Sequence, residues 1–413
     1  MMQRFAEAFG RQPGPGMSIF YRFAFVVHAC FACCIATTAS AAPYIPKSDA
    51  QVLEKLPFRP NDPIAREMAK ARAELQRNPR NLEVAVALAR RYYGLVAEEG
   101  DPRYLGYAQA ALAPWWSMPE PPIDVQVLRA SLGQFRHDFP GSLDDLGKVL
   151  ARDPAQGQAR ALRATIEIVQ AHYAEARADC QALKGVTTDL IEIACEAMVD
   201  GLTGSAGPAY DRLNLAYHSH PEATPDEKLW VLLRLAEMAQ RLGRPEAAEN
   251  HFKEALALNI TDTFLLAAYA DFLLLQNRPA EVDAMLKDKI RSDTLLLRLV
   301  LAERILKSPN AKQSEDTLAA RYAAAQLRGD TVHQQEEAQF ELKVRQDPKK
   351  ALALARENWK VQLEPRDARI YMEAALALKD PAAAEPVLRW LEQSHIEDRV
   401  LASLAQQLKA VRS

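Results

Sequence analysis

Apolar residues along this chain keep helical rather than strand spacing. In 229–262, LWVLLRLAEMAQRLGRPEAAENHFKEALALNITD, Leu235-Ala236 lie on a first apolar run and Gly243 marks the break after it. Ala248, Phe252 and Ala255 follow at steps of four and three, which keeps them on one face of a second helix. The next stretch repeats the arrangement with Tyr269-Ala270, Asn277, Val282 and Leu286. No run alternates apolar and polar positions between Asn-Gly or Asp-Gly turns, so no sheet is expected. Only 16 of 413 residues are glycine and alanine is abundant, a further bias toward helix.

The pattern itself recurs at a fixed interval. Leu128-Arg129-Ala130-Ser131 returns 34 residues later as Leu162-Arg163-Ala164-Thr165, Phe139 returns as Tyr173, and Leu146 as Cys180. The same interval links Ala236 to Ala270, Arg244-Pro245 to Arg278-Pro279, and Phe252 to Leu286. A period of this length marks stacked helical hairpins, each burying its apolar face only against its neighbours. Units are read from about 81, 122, 156, 190, 229 and 263, and two later ones from Asp347-Pro348 with Ala351 and Ala355, and Asp380-Pro381 with Ala384 and Leu388. The spacing predicts an all-α fold, an α-α superhelix of about eight helical hairpins forming an open curved ribbon. Its expected parts are an N-terminal array over 62–217, a polar inter-array loop at 218–227, a C-terminal array over 228–395, and a polar capping helix with tail over 396–413. Segment 62–79 reads as an incomplete first unit closing at Asn78-Pro79.

The front of the chain has a different character. Residues 17–41 read as a secretory signal: Arg22 gives the positive start, Phe23 to Ala36 the apolar stretch, and Ala39-Ser40-Ala41 the small-residue cleavage site. The whole of 1–41 is assigned to this signal peptide, with Met17 the better initiator, and 42–61 to an extended, proline-containing lead-in. The alternatives are an uncleaved anchor helix or a lipoprotein attached at Cys33 or Cys34. Export to the periplasm is therefore the expectation, with no transmembrane span in the mature chain. After the signal only Cys180 and Cys195 remain, on either side of a turn at 184–189. In an oxidising compartment they are expected to form a disulfide; two buried free thiols are the alternative.

Charge and motifs narrow the chemistry. The net charge is −3, and 1–41 holds Arg4, Arg11 and Arg22 against Glu7, so the remainder is mildly acidic. That argues against a general nucleic-acid binder, which needs a basic face. Gly204-Ser205-Ala206-Gly207 lacks the first glycine of a nucleophile elbow and reads as a hairpin turn. His218 and His220, near Glu222 and Asp226, lie on a polar loop that makes a poor metal site. Carboxylate pairs such as Asp144-Asp145 read as a solvated face. No catalytic residue, metal or cofactor is expected. Trp115-Trp116, followed by a proline-rich stretch to Pro122, is read as one tryptophan plugging the core, the alternative being an exposed anchor for a partner.

These units resemble the tetratricopeptide repeat family, with Ala130, Ala164, Ala197, Ala236 and Ala270 at the helix crossings and Gly204 and Gly243 in turns. The resemblance covers most of 62–395 and departs from the family at Ile260, where proline is usual, and at Arg129 and Arg163, where a large apolar residue is usual. It implies a concave groove lined by the first helix of each unit. The groove-facing positions it implies are Asp124, Gln134 and Phe135; then Trp230, Glu237, Gln240 and Arg241; then Phe264 and Asp271. The clamp that chaperone-adaptor members use for a terminal carboxylate is absent, since those positions hold Leu233, Glu237, Ala267 and Asp271. The resulting expectation is an exported, non-enzymatic scaffold that binds a protein segment in its groove. The alternatives are a carrier or enzyme of envelope polysaccharide or peptidoglycan, and a structural subunit of a membrane-associated assembly.

Overall fold

The computed structural model describes residues 62–329 and 334–412; the expected signal at 1–41 and the lead-in at 42–61 lie outside the described residues. Within them the chain is built of helices with no strand. A single helix, α1 (Pro63–Arg77), precedes nine antiparallel pairs, against about eight expected. They are α2 (Leu82–Glu99) with α3 (Arg103–Ala111), α5 (Ile123–Phe135) with α6 (Phe139–Arg152), and α7 (Gly157–Val169) with α8 (Tyr173–Gln181). Next come α9 (Asp189–Asp200) with α10 (Ala206–Ser219), α11 (Pro225–Arg241) with α12 (Pro245–Ala257), and α13 (Thr263–Leu275) with α14 (Pro279–Leu286). The last three are α15 (Asp293–Leu306) with α16 (Ala311–Arg328), α17 (Gln334–Phe340) with α18 (Pro348–Trp359), and α19 (Pro365–Ala377) with α20 (Glu385–Ser394). One-turn α4 (Ala113–Trp116) follows the first pair, a π turn over Glu341–Arg345 extends α17, and α21 (Arg399–Arg412) ends the stack.

The pair α15–α16 is the one the sequence reading passed over. All nine residues from Leu295 to Glu303 are buried, so α15 is enclosed on every side and shows no amphipathic stripe. Elsewhere the crossings are as expected: Ala130, Ala164, Ala197, Ala236 and Ala270 are at most 1% exposed, which lets the backbones of paired helices approach closely. Residues 220–224 form the loop of the polar stretch, since His218 and Ser219 finish α10 and Pro225 opens α11. Thr224 and Glu227 close a capping box there. One continuous core, from Ala161 to Val344, runs through both sides of this loop.

Every hairpin turns through one residue of left-handed backbone: Gly100, His137, Ala171, Gly204, Gly243, Asn277, Lys307, Gln346 and Lys379. In seven of the nine the next residue donates its N–H to the carbonyl five positions back, as Arg244 does to Ala239 at 2.8 Å and Asp380 to Ala375 at 3.0 Å. That bond satisfies a carbonyl the helix end would leave unpaired. At Asp347 it spans six positions, to Glu341, because the π turn adds a residue.

Cys180 and Cys195 are joined by a disulfide, with Cα atoms 5.4 Å apart. It connects α8 to α9, and so ties the third hairpin to the fourth.

The stack is not an open ribbon. Thr263 Oγ1 donates to the Ala97 carbonyl at 2.9 Å, and a Cβ on Gly100 would fall 2.4 Å from Ser292 Oγ. Leu363 N–H donates to the Val169 carbonyl at 2.7 Å, Trp390 Nε1 to Tyr173 Oη at 3.2 Å, and Ala206 N–H to Glu397 Oε2 at 2.6 Å. The first hairpin thus meets the sixth and seventh, and the third meets the ninth. The fourth and fifth meet the start of α21. The solenoid winds tightly enough that successive superhelical turns touch.

Candidate partner groove

Consecutive first helices form one strip, and ion pairs stitch it. Arg90 of α2 reaches Asp124 of α5 at 2.6 Å. Asp271 of α13 binds Arg298 of α15 through two bonds, at 3.0 and 2.7 Å, and Arg298 also faces Glu336 of α17 at 3.7 Å. The Arg298 side chain is only 5% exposed, yet these carboxylates hold its guanidinium charged, its pKa raised against the pull of burial.

The nine groove positions fall into two patches separated by α7 and α9. On α5, Asp124 keeps 41% of its side chain exposed, while Gln134 and Phe135 are half-buried and Phe135 packs on a first, N-terminal core that runs from Met68 to Leu132. On α11, Trp230 is only 8% exposed. Glu237 pairs with Arg234 at 3.0 Å and Gln240 is half-buried. Arg241 donates to the Gly201 carbonyl at 3.2 Å and faces Asp398; burial draws its pKa down, and its Nε finds no acceptor among the described residues. Phe264 and Asp271, seven residues apart on α13, are half-buried beside this patch.

The sequence reading missed two residues that face these positions: Arg298, on the next first helix, which binds Asp271, and Asp398, from the far end of the chain, which faces Arg241. Only Arg298 carried a local signal, a lone charge inside the apolar run of α15. Asp398 is brought near Arg241 by superhelical winding.

The remaining candidates are structural where they stand. Trp115 is 9% exposed in the first core and Trp116 is half-buried; with Gly106, Gln109, Ala110, Ala113 and Ser117 it lines a shallow depression of about 540 Å³. Arg129 donates to the carbonyls of Trp116 and Met118 at 2.6 and 2.9 Å and so pins this segment. His218 Nδ1 and His220 Nδ1 bond to carbonyls of their own helix, at Asn214 and Ala216. No group of three or more metal-ligating side chains converges among the described residues. Gly204-Ser205 is a left-handed turn at the start of α10. Asp144 is exposed and pairs with Lys148, as expected, but Asp145 is 7% exposed and bonded to Arg129, because the second residue of the pair points into the hairpin. No described helix is long and apolar enough to cross a membrane.

No family profile and no curated protein matches the chain. Among solved structures it is similar to the Cut9–Hcn1 hetero-tetramer of the APC/C, at 14% identity and a TM-score of 0.38 over 85% of this chain and 53% of that one. It thus spans about half of that chain's length. It is also similar to a tetratricopeptide repeat protein from Parabacteroides merdae, at 14% identity and a TM-score of 0.31 over 70% of this chain and 98% of that one. The tetratricopeptide domain of P58(IPK) is similar at 15% identity and a TM-score of 0.22, over 84% and 98%. With nine helix pairs among the described residues, five of them crossing at the alanines named above and all turning through one left-handed residue every 30 to 39 positions, the chain has the helical-hairpin superhelix that its repeats predict, resembling the tetratricopeptide repeat family.

Proposed function

We propose that this protein is an exported, non-enzymatic scaffold that holds a segment of a protein partner along its first helices. One observation carries the reading: the first helices form a continuous strip on which polar and aromatic side chains, among them Gln134, Glu237, Gln240, Phe264 and Asp271, remain half-accessible between buried neighbours. Such a strip supplies hydrogen-bonding groups and a few aromatic anchors at helical intervals, which suits an extended peptide or a helix. Export is supported by the signal read in 17–41 and by the Cys180–Cys195 bond, which persists in an oxidising compartment such as the periplasm.

Phe264 is the better probe of this surface than Trp230, whose truncation would also hollow the core. A partner copurified from periplasmic extract is expected to lose more than about 1 kcal/mol of affinity to Phe264→Ala, measured by calorimetry. Leu215→Ser is the control, since Leu215 lies on the second helix of its pair and is 69% exposed. Affinity unchanged by Phe264→Ala, or lost equally in the control, would remove the groove from the account.

A further inference from the structure

The segment that leads into α21 lies across the turns of the fourth and fifth hairpins. Glu397 Oε2 accepts the N–H of Ala206, the first residue of α10, at 2.6 Å. His395 sits against Gly204, where a side chain would place its Cβ 3.1 Å from that of His395. Arg399 lies over Gly243, where a Cβ would fall 2.4 Å from its Cδ. Both glycines hold left-handed turns, so each allows the turn and the close approach together.

Asp398 caps α21 by accepting the N–H groups of Val400 and Leu401 at 2.9 and 3.0 Å, and it faces Arg241. Ile396 packs against both the large central core and the core of the last hairpins. The contacts of 395–399 with these turns are polar or through single side chains, whereas the hairpins on either side have apolar interiors of their own.

We propose that 394–399 is an intramolecular latch: it seats on the turns at 201–206 and 241–243, engages Arg241 from across the seam, and opens as a unit without unfolding either core. The latch closes one end of the α11 surface, and its bearing on a partner rests on the groove reading given above. The seam itself needs no partner to be tested.

Hydrogen exchange on the full chain, read by mass spectrometry, decides it. In the native protein the amides of 201–206, 241–244 and 395–402 should exchange together, faster than those at the centres of α9 and α11. Glu397→Ala removes an acceptor on an exposed side chain and is expected to speed all three segments about tenfold, leaving the helix centres unchanged. Ile396→Ala should act in the same direction, and Glu397→Gln, which keeps an oxygen, should restore most of the protection. Acceleration confined to the amides beside Ala206, or spread over the whole chain, would overturn the latch. With no partner in the experiment, failure here counts against the latch and leaves the groove to its own test.

Discussion

Arg129 and Arg163 each cross their hairpin to an aspartate 16 residues on. Arg129 grips Asp145 through Nε at 2.7 Å and Nη2 at 2.6 Å, and Arg163 grips Asp179 in the same way at 2.5 and 2.6 Å. The departure from an apolar side chain is thus a bidentate pair shared by two consecutive hairpins, with Asp145 and Asp179 only 7% and 3% exposed. Arg160 adds a weaker contact to Asp179 at 3.3 Å. Arg163→Ala should therefore cost about 2 kcal/mol, by leaving a buried carboxylate with one distant partner. Arg163→Met with Asp179→Leu should recover most of that loss, because apolar isosteres of a buried pair are close to neutral. Denaturant midpoints of the two variants against the parent check both statements. The repeated Arg-Pro pair has a similar origin: Arg244 reaches back to Asp211 at 3.4 Å and Arg278 to Glu249 at 2.9 Å, each bracing a second helix against the preceding one. Such pairs are half-legible in sequence. The arginine recurs visibly, but its partner is identified only when the hairpin closes.

At the scale of the element, the turns explain why repeat boundaries blur in the later units. All nine turns use one left-handed residue, yet only Gly100, Gly204, Gly243 and Asn277 are types that adopt it readily. His137, Ala171, Lys307, Gln346 and Lys379 adopt it because helix packing on both sides imposes it, so no residue type announces the turn. Lys307→Gly should then stabilise the protein by about 1 kcal/mol, since the strain of a side chain at φ 54° is relieved. A higher melting temperature is the expected readout, and a lower one would show that Lys307 makes compensating contacts. The seventh pair, α15 with α16, carries no visible stripe for a related reason: α15 is enclosed on every face, and a stripe can be read only where one face is wet.

For the whole molecule, the shared core matters more than the polar stretch at its middle. Because buried residues from Ala161 to Val344 form one cluster across 220–224, the two halves of the chain are energetically joined. Limited proteolysis within 220–224 should give fragments that co-elute in native gel filtration and part only in denaturant, since no disulfide spans the cut. Separation under native conditions would show that the halves are independent. The sequence alone determined eight of the nine hairpins, their alanine crossings and the disulfide partners, because each depends on residues within about one period of each other and a helix carries its register locally. The strip of first helices was implied only by the resemblance to the tetratricopeptide repeat family. Only the tertiary structure decided how tightly the solenoid winds and which distant residues meet. That depends on the small rotation each hairpin adds to the last, and on seam contacts such as Ala206 with Glu397, 191 positions apart. A rotation summed over nine pairs leaves no local pattern to read, so a stack that periodicity alone describes as an open ribbon coils back onto itself.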